Sequence, residues 1–381
     1  MSQSGQPGVA MPFAAARPGG ADALALAHYV RDSVAAGVER DVLHLRLGDL
    51  PAGPRHGHHQ RLVREVLEPL LRPTRARMFE LPNGDIIAVA PPEGRHLRLA
   101  EEQLAILFAA EAQPPFIRRK LPAEAAALLA AVEHSLDPAP AAAAIPADAV
   151  PLGGAGLLAL ERGLGQANLA RFLMRRPVCG LAPGNTAPEV AWEEWQLGWA
   201  ELCGVLLPGV DPGLSPDLFR RLRRLVDRRL LSGMARPEEA RRLGRTGLRL
   251  SLESLADPEF LRLDAALGAA GRAQMVLGLS AGDALADPAG FAFARDFCRA
   301  RGWRVMLDVA APALLPALPA AALRVDLVRL HWSDALPAQA AALPAARETL
   351  VLGGADRAAA IGWGWDAGIT LFEGRLLRAG L

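Results

Sequence analysis

The chain has 381 residues, 51% of them hydrophobic and 22% charged, and a formal net charge of +1. That length suits two domains, each able to bury its own core, and so small a net charge leaves no long-range field to gather nucleic acid or an anionic membrane. No run of about 18 apolar residues free of charge crosses a membrane, residues 1–20 lack the pattern of a signal peptide, and Cys179, Cys203 and Cys298 form no CxxC pair, so a cytoplasmic protein without disulfides or zinc knuckles is expected.

Residues 1–21 are rich in Gly, Pro, Ser and Ala, which predicts a disordered tail. Over 22–39, Leu24, Leu26, Val30, Val34 and Val38 return at a helical spacing, with Asp22 as the expected N-cap. Residues 41–48 alternate like a strand, 59–71 return to helical spacing, and 77–89 read as strand, turn, strand around Pro82, Asn83 and Gly84. Helices are predicted at 97–110 and 123–136. The order α-β-α-β-β-α with a hairpin describes a small α/β domain over 22–136. Residues 137–156 are mostly Ala and Pro, a composition that packs poorly and predicts a linker.

From 157 onward, strand and helix patterns alternate. Helices are expected at 157–174, 216–231, 258–267 and 288–301, and strands at 178–182, 189–197, 248–252, 275–279, 304–308, 327–330, 349–352 and 369–372. Such alternation over 157–381 predicts a parallel sheet covered by helices. About seven or eight strands suit a TIM-like (β/α)8 barrel.

Several segments of this half, in order, resemble the EAL phosphodiesterase family. Residues 176–181 (RPVCGL) are similar to its first strand. Residues 194–196 (EWQ) stand at the Glu-Ala-Leu motif, and 248–251 (LRLS) followed by 257–260 (DPEF) match its next pair of motifs. Residues 293–308 resemble the helix and strand that end in an Asp-Asp pair. Residues 323–330 (LRVDLVRL) resemble a lysine-bearing strand, and 368–374 (GITLFEG) the closing strand. More faintly, 79–87 (FELPNGDII) resembles the hairpin of a GGDEF diguanylate cyclase, with Pro82 and Asn83 in place of part of its glycine turn and Ile86 in place of its glutamate.

The resemblance implies a site at the C-terminal ends of the barrel strands, where active members hold two divalent metals with several carboxylates and an asparagine. Carried over by position, Glu194 matches the motif glutamate, with Glu193 as the competing register. Asp308 matches the first aspartate of the pair, and Glu373 stands at the closing glutamine. The asparagine position holds Arg249, the lysine position Arg329 and a further aspartate position His331. Gly278 and Ala281 fall where two glutamates belong, Val309 replaces the second aspartate, and the late glutamate falls near 354–356. Glu194, Asp308 and Glu373 are thus remnants of a catalytic set, too few to hold a metal pair. No metal and no cofactor is expected, magnesium or manganese entering only if the motif registers are wrong. Glu194 and Asp308 either bind one metal weakly or, the favoured reading, are satisfied as salt bridges by Arg249 or Arg329; Arg249, Arg329 and His331 are also the candidate ligand-binding residues.

Other features invite sharper and blander readings. His56, His58 and His59 lack the spacing of a zinc site on a helix, so a solvated loop is expected. Arg220, Arg221, Arg223, Arg224, Arg228 and Arg229 sit opposite the apolar face of the 216–231 helix and read as a solvated face, or as a phosphate site. Trp332, directly after His331, is the candidate plug of the barrel mouth. Three functions follow: a non-enzymatic regulator that docks an unidentified protein within a cyclic-di-GMP network, a receptor that binds cyclic-di-GMP without cutting it, or an active phosphodiesterase using Asp283, Asp326 and Asp356 as spare acids.

Overall fold

A computed structural model describes residues 20–50, 62–68, 76–109, 114–136, 150–166, 169–185, 187–206 and 209–378. The chain divides into two compact units, one ending at Leu136 and the other spanning 137–378.

The first unit contains α1 (Gly20–Ala35), β1 (Arg40–Leu45), α2 (62–68), β2 (Arg77–Glu80), β3 (Ile86–Ala90), α3 (Arg95–Leu107), β4 (Phe116–Leu121) and α4 (Ala125–Ser135). Its sheet has the order β2-β3-β1-β4, with every pairing antiparallel. Leu43, Leu45, Ile86 and Ala88 pack on one side with Leu97, Leu104 and Phe108. The hairpin expected around Pro82, Asn83 and Gly84 is present, with Gly84 at φ 89°. Strand β4 was not predicted. Three consecutive cations, Arg118, Arg119 and Lys120, hide its alternation, as befits an edge strand that pairs only with β1. Asp22 does not cap α1: it lies inside the first turn and accepts the Glu80 N–H at 2.9 Å, tying the helix to β2. The tail expected over 1–21 falls outside the described residues as far as 19, and Gly20 and Ala21 already belong to α1. The histidines at 56, 58 and 59 also lie outside them.

Of the expected linker, 137–149 lies outside the described residues. Its end is structured: β5 (Val150–Pro151) pairs with β8 (Val210–Asp211), and α5 (Gly154–Gln166) starts before 157. The helix predicted through 174 is cut short, because Leu169–Phe172 forms a 3-10 turn and β6 (Leu173–Gly180) begins at once. There follow β7 (Glu189–Leu197), α6 (Trp199–Leu206), α7 (Pro216–Met234), α8 (Pro237–Arg242), β9 (Thr246–Arg249), α9 (Pro258–Arg272), β10 (Met275–Ser280), α10 (Ala281–Ala286), α11 (Pro288–Ala300) and β11 (Arg304–Val309). The unit ends with β12 (Leu327–His331), β13 (Leu350–Gly353), α12 (Ala358–Asp366), β14 (Leu371–Glu373) and α13 (Arg375–Arg378).

Eight of these strands close a barrel in the order β10-β11-β12-β13-β14-β6-β7-β9. The expected barrel is therefore present, with one correction to its direction. Strand β6 runs antiparallel to both β7 and β14, while the other pairings are parallel. The loop between β6 and β7 is too short for a crossover helix, so the pair must form a hairpin.

A strand period of two sorts the barrel interior into layers. Val178, Trp192, Val276, Met306, Leu327 and Val351 form one apolar layer. Gly247 belongs to it because a Cβ there would stand 2.9 Å from the Trp192 ring. Leu371 of β14 packs against it, and two residues further along these strands come Glu194, Arg249, Gly278, Asp308, Arg329, Gly353 and Glu373. One sequence pattern thus supplies both the core and a charged floor above it.

Candidate ligand site at the barrel mouth

The charged floor is closed by ion pairs. Arg329, fully buried, aims its fork at Glu194: Nη1 donates to Oε1 at 2.6 Å and Nη2 donates to Oε2. Gln196 adds a third donor to Oε1 at 3.2 Å. Arg249 Nη2 stands 3.0 Å from Asp308 Oδ2 and 3.5 Å from Glu194 Oε1, at angles that give ion pairs without hydrogen bonds. His331 Nε2 meets Asp308 Oδ1 at 2.8 Å. Burial alone would raise the Glu194 carboxyl, but Arg329 and Arg249 outweigh it and hold it below the usual carboxylate range. Asp308 is likewise pushed up by burial and held down by His331, Arg249 and Arg329. The Arg329 guanidinium stays charged despite its burial because Glu194 lies in its fork.

Above this floor opens a cavity of ≈ 310 Å³ lined by Arg176, Arg249, His331, Asp356, Glu373, Arg375 and Arg378, with Gln196 and Gly354. Arg176 Nη1 faces Glu373 at 3.6 Å, and Arg375 Nε faces Asp356 at 2.9 Å. Arg378 has no carboxylate within ion-pair distance among the described residues, and its Nε is buried without a hydrogen-bond partner. Burial, with Arg176 and Arg375 close by, lowers its pKa. Among the described residues, cavity and floor together hold Arg176, Arg249, Arg329, Arg375 and Arg378 against Glu194, Asp308, Asp356 and Glu373, five cations to four carboxylates.

The structure thus gathers Glu194, Asp308, Glu373, Arg249, Arg329 and His331 at one end of the barrel. Arg329 is corrected as a ligand-binding candidate: it has no exposed surface and its fork is filled by Glu194. Glu193 lies on the outer face of β7, 3.6 Å from Arg175, so Glu194 is the inward register. Gly278 and Ala281 put no carboxylate at either position, and β10 carries none; Asp283, in the first turn of α10, is the acid nearest in sequence. Of the spare acids only Asp356 reaches the mouth. Asp326 accepts the Val305 N–H beneath the barrel and Asp283 lies in α10. Trp332 packs on Trp363, ring centroids 5.6 Å apart, and does not line the cavity, so it is not the plug. Three of the α7 arginines are paired on its outer face: Arg221 meets Glu161, and Arg224 and Arg228 meet Asp257. Arg176, Arg375 and Arg378 were missed. Arg176 opens the segment 176–181, read only as a first strand, Arg375 and Arg378 follow the closing strand, and only barrel closure brings β6 beside β14.

The donor set does not fit a metal pair. Both oxygens of Glu194 and both of Asp308 are taken by cationic or hydrogen-bonding side chains, and Arg249 puts a fixed charge beside them. Among the described residues no three His, Cys, Asp or Glu side chains are grouped to share an ion. The depressed carboxylates also set a pH dependence. Their stabilisation is complete above the unfolded-state carboxylate range and drains away as pH falls through the folded values. Urea unfolding followed by tryptophan fluorescence is expected to show the barrel losing stability between about pH 5 and pH 3. A midpoint unchanged over that range would mean that these pairs contribute nothing.

No protein-family model matches the chain, and no curated protein matches it. Among solved structures it is similar to the S helix-GGDEF-EAL portion of Vibrio cholerae LapD, with 11% identity over 93% of each chain and a TM-score of 0.43 without ligand. The cyclic-di-GMP-bound form of that protein gives 11% and 0.44 over the same shares. It is also similar to the EAL domain of Xanthomonas citri FimX in complex with cyclic-di-GMP, at 12% identity over 58% of this chain and 90% of that one, with a TM-score of 0.38. No helix among the described residues is long and apolar enough to cross a membrane.

Proposed function

We propose that this chain is a catalytically inactive, EAL-like signalling protein of a cyclic-di-GMP network, acting through what it binds and not through hydrolysis. The observation that carries this reading is the Arg329 guanidinium seated on both oxygens of Glu194. A carboxylate so occupied has its charge balanced by a buried guanidinium that a metal would have to displace, and without metals nothing in the mouth activates a water to attack a phosphodiester. The motif resemblance supplies the cyclic-di-GMP context. The cytoplasm is the proposed compartment, where three separated and buried thiols stay reduced.

A second reading, a non-hydrolysing cyclic-di-GMP receptor, is favoured by the arginine-lined cavity. Arg176, Arg249 and Arg378 border a space in which, among the described residues, arginines outnumber carboxylates by one, and a phosphodiester would supply an anion as a charge-assisted acceptor. Calorimetric titration with cyclic-di-GMP, with and without manganese, tests both readings. Metal-independent binding with no linear product is expected, with Arg378→Ala weakening it about tenfold or more, the worth of one hydrogen bond to a charged group. Absence of binding would leave the protein-docking reading alone. Manganese-dependent formation of linear dinucleotide would overturn the proposal.

A further inference from the structure

The helical layer of the second unit contains another cavity, of ≈ 570 Å³, whose lining shares no residue with the mouth. It lies between the turn after β9, the start of α9, and α10 with α11. Helix α11 explains why it is apolar. Its inward stripe is Phe291, Ala294 and Cys298, and a second apolar pair, Phe293 and Phe297, lies on the side facing the cleft. Phe293 is 74% exposed, and Leu261 on the opposite wall 47%. The two phenylalanine rings stack with centroids 6.4 Å apart at 16°. Soluble proteins seldom leave such side chains side by side in water unless something covers them.

Charge narrows the choice of what does. Glu253, Asp283 and Asp287 line the cleft against Arg220 alone. Asp287 is committed to capping α11, where it accepts the Gly290 N–H at 2.8 Å. Asp283 has an Oδ2 with no hydrogen-bond partner, and burial, with Glu253 close by, pushes its carboxyl up against the opposing pull of Arg223 and Arg220. A cation brought to this end of the cleft would relieve both carboxylates at once.

We propose that this cleft docks an amphipathic helix of a partner protein, its apolar side chains seated on Leu261, Phe293 and Phe297 and a lysine or arginine set against Asp283 and Glu253. The proposal rests on the reading that the chain signals through a bound partner. It names the surface used and the chemistry of the segment recognised.

The test uses the full chain and two labelled synthetic helices of the same pattern, one of leucine and lysine, the other of leucine and glutamate, read by fluorescence anisotropy. The lysine peptide is expected to bind about tenfold tighter or more. Phe293→Ser, at an exposed position that folding does not need, should weaken it by a similar factor. Asp283→Asn and the exposed Glu253→Gln should narrow the gap between the two peptides. Equal affinity for both peptides, or lysine-peptide binding untouched by Phe293→Ser, would overturn the docking surface while leaving the non-catalytic reading intact. That reading fails separately, through metal-dependent hydrolysis at the mouth, which none of these substitutions touches.

Discussion

Arg329→Met is expected to destabilise the barrel unit by about 3–5 kcal/mol, the loss typical when one partner of a buried ion pair is removed. Glu194 is then left as a carboxylate 1% exposed, with only Gln196 and a guanidinium 3.5 Å away to hold its charge. Glu194→Leu alone should cost a similar amount by stranding Arg329, which is wholly buried. The two changes together should recover most of the loss, because an apolar pair of similar volume has no desolvation to repay. Urea unfolding of the four proteins closes the double-mutant cycle. If the double variant is as unstable as the two single losses added, the pair does not act as a unit and the account of the floor is wrong.

Gly374→Ala is expected to be nearly as damaging, for a steric reason. A Cβ at 374 would lie 2.3 Å from the Ala355 carbonyl oxygen and 2.7 Å from its nitrogen, both backbone atoms with nowhere to move. The two strand ends are held together there, with Ala355 N–H donating to the Glu373 carbonyl at 2.9 Å. Overpacking of this kind costs about 1–3 kcal/mol or more. It should also shift Arg375 and Arg378, which follow directly on α13, and so weaken any anion binding beyond what the stability loss explains. A variant with wild-type melting behaviour would mean that the β14–α13 junction is looser than the packing implies.

How much of this was legible in the sequence differs between the units and between residues. Hydrophobic periodicity was enough for the barrel strands from β9 onward, because a strand buried on both faces keeps a nearly continuous apolar run. Strand β4 escaped because edge position tolerates charge, and the direction of β6 escaped because alternation is the same for either direction. Glu194, Asp308 and Glu373 were legible as inward-facing acids through their neighbours in motif order. That Arg249 or Arg329 would satisfy Glu194 and Asp308 was legible too; which arginine meets which acid was not, since 135 residues separate Arg329 from Glu194 along the chain.

Local choices of residue at a local period determined the strand-helix alternation of the second unit, and with it the inward positions of Glu194, Arg249, Asp308 and Arg329. Only the tertiary structure decided which charges meet. Closing the barrel sets β6 beside β14 and β7 beside β9, and that closure turns Arg329 inward onto Glu194 and, among the described residues, leaves Arg378 at the rim without a carboxylate in ion-pair reach. Pairing of charges depends on distance in space, which falls off over a few ångströms, whereas periodicity depends only on order along the chain.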